Sequence, residues 1–451
     1  MKLLAAALTF IAAACIPTVT AGSSQVDSSR GSGDRGNVPK GFLTRKGTKF
    51  RLDNKDFAFV GSNSYWLPLL TTHEDVDRTL RDARAAGIKV MRTWGFNAIN
   101  ATELPTALAT NLTYYQVWNG TRFTTNYGEQ GLKRLDYVVK AAAKYDVKLI
   151  LAFTNNWVGY GGAELYINWI KPGSPNHDIF YTDPAIIAEY QRYVKIIVSR
   201  YKDSPAIAAW ELMNEARCLG DLPAGPNCPG KRLLTQWYKQ QSDYVRNCSD
   251  PYHLITTGGE GHFFWNNPPV IWFNGTGSTD YNYNGQAGED FEEDLKLPNI
   301  DFGTYHIYVT YWYPQLIYPG SNFSAYEWGL GWIQQHADAA KKIGKPVILE
   351  EFGVASYESK LAWYPGWVQR ALDTYHGTPC LLECLSDQIR IMPWQYGQLG
   401  LTESGGNRVI KYADAIIDGA SPNDSNTFYK NQTDIWTIFT RAAAIQDARS
   451  R

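Results

Sequence analysis

Eight short apolar runs alternate with amphipathic helical patterns along the chain, and that rhythm leaves few folds open. Runs at 57–66, 90–96, 148–155, 207–215, 254–260, 302–309, 347–353 and 391–397 predict strands. Helical patterns at 73–86, 131–145, 184–201, 231–246, 326–343, 361–375 and 409–418 fall mostly between them. Short apolar strands joined by helical crossovers build parallel sheets. Eight of them predict an α/β protein with a (β/α)8 barrel, the TIM barrel fold. A doubly wound open sheet is the alternative, and it is weakened because no Gly-x-Gly-x-x-Gly turn follows an early strand. Long irregular connections at 97–130, 156–183, 219–230 and 261–298 each follow a strand end. In a barrel, those βα loops build the active face.

The ends of the chain read differently from its middle. Residues 1–21 carry Lys2, an apolar run and small residues Val19 and Ala21, the pattern of a secretory signal peptide. Residues 22–40 are rich in Gly, Ser, Asp and Arg without apolar periodicity, and predict a disordered leader. From residue 41 to 445 the composition is globular without a second linker, so one domain is expected there. A secreted, extracellular protein is the implied setting. That setting makes disulfides admissible. Cys218 and Cys228 bracket a Gly/Pro-rich loop and are the preferred pair; Cys380 and Cys384 could also bridge, leaving Cys248 free once Cys15 departs with the signal. Eight Asn-x-Ser/Thr sequons, at Asn100, Asn111, Asn119, Asn247, Asn274, Asn322, Asn423 and Asn431, suit a glycoprotein. The net charge of −1 with 19% charged residues gives no electrostatic reason to expect nucleic acid or a membrane as partner. A monomer is expected.

The residues at the strand ends form a set. Two glutamates, Glu215 and Glu351, end apolar runs far apart in sequence. Singly, such a glutamate is more often a salt-bridge partner or a helix cap. Around them stand Arg92 and Trp94 at the second strand, Asn155, Asn156 and Trp157 at the third, Asn214 at the fourth, His306 and Tyr308 at the sixth and Trp394 at the eighth. Two carboxyl groups facing one cleft are what retaining glycoside hydrolysis needs, one as acid/base and one as nucleophile, about 5–5.5 Å apart. An Arg and a Tyr hydroxyl would keep the nucleophile ionised. Trp faces would stack on sugar rings, and the 16 Trp and 29 Tyr of the chain supply many such faces besides the core. No cluster of Asp, Glu, His or Cys has metal-ligand spacing, so neither a cofactor nor a metal is expected.

Six motifs in order, RTWGFN, FTNNWVGYGG, WELMNEARC, DFGTYHIY, ILEEFG and PWQYG, resemble glycoside hydrolase family 5, and within it the fungal and plant endo-β-1,4-mannanases. The resemblance spans residues 41 to 420. It implies that Glu215 is the acid/base and Glu351 the nucleophile, with Arg92 and Tyr308 holding the nucleophile and His306 supporting the acid/base. It implies that Asn214, Trp94, Trp157 and Arg217 contact sugar and that Trp394 floors the subsite on the non-reducing side. Glu350, beside Glu351 on a strand, is expected on the opposite face in a structural role. The expected activity is endo-acting hydrolysis of β-1,4-mannosidic bonds in mannan, glucomannan and galactomannan. An exo-acting β-mannosidase or a β-glucanase on the same scaffold is the alternative, and a non-catalytic carbohydrate-binding protein the remote one. Two positions depart from the mannanase pattern: Ala216 and Val309 stand where Pro is usual. Ala216 follows Glu215 and Val309 follows Tyr308; neither change removes a reacting group, and both bear on the loops that shape the leaving-group side.

Overall fold

A computed structural model describes residues 38–450 apart from 229, 231, 248–249, 318–322, 374–388 and 404–418. The expectations for the signal peptide, most of the leader, Cys15, Cys248, Cys380, Cys384, Asn322 and a helix at 409–418 lie outside the described residues.

Eight parallel strands make the central sheet: β1 (Val60–Asn63), β2 (Ile88–Trp94), β3 (Lys148–Ala152), β4 (Ile207–Glu211), β5 (Leu254–Thr256), β6 (Gly303–Ile307), β7 (Val347–Phe352) and β8 (Arg390–Ile391). Their order is β5-β4-β3-β2-β1-β8-β7-β6. Backbone bonds from Asp301 N to Ile255 O (2.8 Å) and from His306 N to Glu260 O (3.1 Å) draw the last gap together. The result is the expected (β/α)8 barrel. Its helices are α1 (His73–Ala85), α2 (Leu132–Lys144), α3 (Pro184–Tyr201), α4 (Leu233–Asn247), α5 (Phe291–Lys296), α6 (Ala325–Ile343), α7 (Tyr357–Asp373) and α8 (Thr433–Arg449).

Local chemistry sets the helix ends. Asp183 caps α3 by accepting from Ala185 N and Ile186 N, and Pro184 occupies the first turn where no N–H is needed. Ser324 caps α6, with Glu327 three residues on, and Gly344 ends it at φ +79°. The ladders are shorter than the apolar runs that predicted them. The run at 254–260 pairs only to Thr256, because Gly258 and Gly261 turn the chain at φ +79° and +83°. The run at 391–397 splits: Ile391 closes the barrel, while Tyr396–Gly397 pairs with Phe428–Tyr429. The last helix extends to Arg449, four residues beyond the expected boundary at 445.

The barrel interior has two storeys. At the amino-terminal end a three-stranded antiparallel sheet, Leu43–Lys46, Lys49–Leu52 and Lys55–Asp56, inserts Phe50 as a plug. Phe50 meets Phe59 and Phe302 at ring separations of 5.7 and 5.3 Å, in a cluster with Val90, Ile150, Ile348 and Met392. Above this apolar storey lies a polar one of Arg92, Glu211, His306, Glu350 and Glu351, all buried. Burying so many charges demands that they satisfy one another. That storey forms the floor of the cleft at the carboxyl ends of the strands.

Candidate active site

The acid/base candidate sits on a strained elbow. After Glu211 the chain stays extended: Leu212 N bonds Thr256 O, Met213 N bonds Thr257 O and Asn214 N bonds Thr154 O. Glu215 then turns into the left-handed region at φ +52°, at a cost of about 1 kcal/mol or more for a non-glycine residue. Its amide donates to Gly258 O at 2.8 Å. Gly258 is required there: a Cβ would lie 2.4 Å from Met213 O and 2.5 Å from the Glu211 side chain. The elbow swings the Glu215 carboxylate out of the strand line and into the cleft. There Oε2 accepts from Trp157 Nε1 at 2.6 Å, and Oε1 lies 2.9 Å from His306 Nδ1.

Glu351 faces it from β7. Its Oε2 accepts from the Tyr308 hydroxyl at 2.7 Å, and its Oε1 accepts from Arg92 Nη1. Burial raises the Glu351 carboxyl above its ordinary range, opposed by the positive charges of His306 and Arg92. Burial alone would lower the His306 pKa, but the carboxylates of Glu351, Glu215 and Glu350 outweigh it and raise it well above the usual imidazole range. His306 Nδ1 also stands 3.7 Å from Glu351 Oε2, so one imidazolium spans both carboxylates.

Glu350 departs from expectation. It does not point to the opposite face: its carboxylate lies 3.5 Å from Arg92 Nε and 3.6 Å from His306 Nε2, fully buried inside the barrel. The cause is a bulge. Tyr305 pairs with Leu349, but His306 pairs with Glu351, leaving Glu350 as the extra residue of β7. A bulge breaks the two-residue alternation and re-aims side chains, so both neighbours face inward.

Of the residues singled out from the sequence, all but Asn156 converge on this storey or on the cleft above it; Asn156 lies behind the wall, bonded to His177, Leu219 O and Arg217 N. Arg92 donates from Nη2 to Asn214 Oδ1 at 2.6 Å, and Asn214 Nδ2 donates to Asn155 Oδ1 at 2.8 Å. The Arg92 guanidinium lies 4.9 Å from the Trp94 ring centroid. Trp94, Trp157, Asn214, Glu215, Arg217, Tyr308, Glu351 and Trp394 line a cleft of about 540 Å³, with Arg92 and His306 beneath it. Sequence reasoning missed other lining residues, among them Tyr65, Glu260, Tyr311 and Asp424. Tyr65 stacks on Trp394 at 5.6 Å and 9°. Trp394 Nε1 donates to Asp424 Oδ2, which fixes the indole. Arg217 donates from Nε and Nη2 to Glu260 and lies over the Trp157 ring at 5.5 Å. The Cys218–Cys228 disulfide is formed and closes the loop beside Arg217.

Glu215, Glu260 and His306 bring ligand-type atoms within 4.8 Å of one another. Each is already committed: Glu260 to the Arg217 guanidinium, and Glu215 to the His306 imidazole, which also reaches Glu351. The trio is therefore a hydrogen-bonded wall with its own cations. Chemically, the cleft offers two opposed carboxylates and several flat aromatic faces, the requirements of acid-assisted displacement at a sugar carbon.

The family model described as GH family 5 beta-mannosidase-like matches residues 40–390. A probable mannan endo-1,4-beta-mannosidase C from Aspergillus terreus is 40% identical over 381 residues, 81% of this chain and 86% of that one. A mannan endo-1,4-beta-mannosidase A from Aspergillus aculeatus is 36% identical over 410 residues, 91% of this chain and 92% of that one. Among solved structures, an endo-1,4-beta-mannanase from Rhizomucor miehei superposes with a TM-score of 0.72 at 30% identity, covering 90% of this chain and 99% of that one. Since the match runs from the plug sheet through seven barrel strands to the first residue of β8, the chain belongs to glycoside hydrolase family 5, a family of enzymes, and to its β-mannosidase-like members.

Proposed function

We propose that the protein is a secreted, retaining endo-β-1,4-mannanase that hydrolyses internal bonds of mannan, glucomannan and galactomannan. The observation that carries this reading is His306 Nδ1, 2.9 Å from Glu215 and 3.7 Å from Glu351. The nearest oxygens of the two carboxylates can be no farther apart than the sum of those lengths. That bound is compatible with the retaining separation of about 5–5.5 Å between carboxyl groups and supports it over the wider spacing, roughly 6.5–9.5 Å, of inverting enzymes. The relatives named as mannan endo-1,4-beta-mannosidases favour a mannan substrate. Secretion rests on the signal-like first 21 residues.

The steps follow from the contacts. Glu351, ionised and oriented by Arg92 and Tyr308, attacks the anomeric carbon. Glu215 gives its proton to the departing glycosidic oxygen, so a glycosyl–Glu351 ester forms as the C–O bond breaks. Glu215, now a carboxylate, takes a proton from water. The water oxygen attacks the same carbon and releases Glu351, so two inversions leave the configuration retained. Arg92, His306, Glu211 and Glu350 form the charged frame that keeps the two carboxylates in place.

The test is a product profile on linear β-1,4-mannan, with carboxymethyl cellulose alongside, for wild type and Glu351→Ala. Mannobiose and mannotriose formed with β-anomeric reducing ends, none of them from the variant, and little action on cellulose are expected. Mannose alone would replace the endo reading with the exo one. Preferred cleavage of cellulose would move the enzyme to the β-glucanases. An α-anomeric product would overturn retention.

A further inference from the structure

The loop between β5 and α5 carries a two-stranded antiparallel ribbon, Val270–Phe273 paired with Thr276–Thr279. A two-residue turn at Asn274-Gly275, with φ of +48° and +79°, closes it. The ribbon rises from the carboxyl end of β5, so it stands at the same face of the barrel as the cleft. Its base is joined to the cleft wall. Asp280 N bonds Pro269 O across the open end of the ribbon. The next residue, Tyr281, packs against Arg217, whose guanidinium lies 5.9 Å from the ring centroid, and against His262.

The two faces of the ribbon differ. On one, Ile271 packs against the barrel core. On the other, Trp272 is 69% exposed, the most exposed large apolar side chain among the described residues, and Val270 beside it is half exposed. Trp272 is not a loose side chain. It pairs across the ladder with Gly277, and a Cβ at Gly277 would come within 3.2 Å of two indole carbons. The missing side chain lets the indole lie down on the ribbon. One ring face is held by backbone and the other is presented to solvent. The eight strand residues and the two turn residues include no charge, only apolar, hydroxyl and amide groups and glycine.

A fixed flat ring in an uncharged, hydroxyl-bearing surface suits a neutral polymer of sugar rings better than it suits a charged protein or a nucleic acid. We infer that Trp272 and its ribbon form a polysaccharide-binding platform outside the catalytic cleft, where a pyranose ring of the same β-mannan chain stacks on the exposed indole face. The inference rests on the mannan reading above and extends it: the enzyme holds polymer at a second point, joined to the cleft through Tyr281 and Arg217.

The experiment compares wild type with Trp272→Ala on insoluble linear β-1,4-mannan and on mannopentaose. A Trp272→Phe variant restores a ring, and both substitutions are repeated in an Asn274→Gln background, since a glycan at the ribbon tip would sit beside the indole. The expected result is that the ratio of kcat/KM on polymer to kcat/KM on mannopentaose falls roughly threefold to tenfold in Trp272→Ala and recovers substantially in Trp272→Phe. Adsorption to the insoluble mannan should weaken in step. An active enzyme whose ratio and adsorption are the same with and without the ring, in both backgrounds, overturns the platform alone. A wild type inert on both substrates overturns the mannan reading and the platform together.

Discussion

Arg92 clasps Glu211 with two parallel hydrogen bonds, Nε to Oε2 and Nη2 to Oε1, each 2.6 Å long, in a part of the barrel that water does not reach. This pair sets the plane of the guanidinium. The remaining Nη1 is thereby aimed at Glu351 and Asn63. Neutralising Glu211 breaks up this doubly bonded buried pair and leaves only Glu350 and Glu351 against the guanidinium. Glu211→Gln is therefore expected to destabilise the fold by about 3 kcal/mol and to lower kcat on the order of tenfold by loosening the nucleophile's donor. Denaturant unfolding and steady-state kinetics check the two effects separately. A variant as stable and as active as wild type would show that Arg92 is held by other means.

Asp424 does for Trp394 what Glu211 does for Arg92. Its Oδ1 accepts from Asn426 N, Thr427 N and Thr427 Oγ1, which closes the turn, and Oδ2 takes the indole Nε1. Lys360 pins the same turn from below by donating to Ser425 O and Thr427 O. Asp424→Ala frees the ring without touching either reacting carboxylate. KM for mannan oligosaccharides is expected to rise roughly threefold to tenfold with a smaller change in kcat. Asp424→Asn, which keeps an acceptor, should recover most of the loss. A fall in kcat alone would argue against a role in holding the sugar platform.

The disulfide acts on the unfolded chain as well as the folded one. Cys218 and Cys228 are ten residues apart, and closing a loop of that length removes about 3 kcal/mol of unfolded-state freedom. Cys228→Ser is expected to lower stability by about that amount, and reductant should bring wild type down to the variant. Because Arg217 directly precedes the loop's first cysteine, KM should rise as well. Equal unfolding curves with and without reductant would refute the stability effect.

Much of this was legible in the sequence, for identifiable reasons. Barrel strands are short and end in their functional residues, so an apolar run ending in Asn214-Glu215 or Glu350-Glu351 marks a place in three dimensions as well as in the chain. Residues off that pattern escaped. Glu211 lay inside an apolar run and read as part of a core strand, although a lone carboxylate there demanded a buried cation. Asp424 sits in a turn after β8, where no periodicity points to a cleft. Glu350 followed the alternation rule until a bulge overrode it, and a one-residue register shift leaves no mark in composition. Helix α8 buries Ile435, Phe439, Ala442, Ala443 and Gln446. Its small and polar core positions blurred the apolar stripe that would have announced it.

His306 links the architecture to pH. Its imidazole stays protonated well above the usual range because Glu351, Glu215 and Glu350 surround it and outweigh the cost of burial. It is thus one of two cations that hold Glu351 ionised, against a burial that raises that carboxyl above its ordinary range. Since only ionised Glu351 attacks, the acidic limb of kcat/KM should lie above the reference glutamate pKa of about 4.3. His306→Gln removes one cation, so Glu351 becomes harder to ionise and the limb should move to still higher pH. The stability effect has the opposite pH sense. A histidine whose folded pKa is raised stabilises the fold fully below its unfolded value of about 6.5, and loses that contribution as pH rises through the folded value. The stability gap between wild type and His306→Gln should be widest in mild acid and narrow toward alkaline pH. Paired pH–rate and pH–unfolding profiles test both signs. A limb that stays put or moves to lower pH would mean that His306 does not supply the charge that keeps the nucleophile ready.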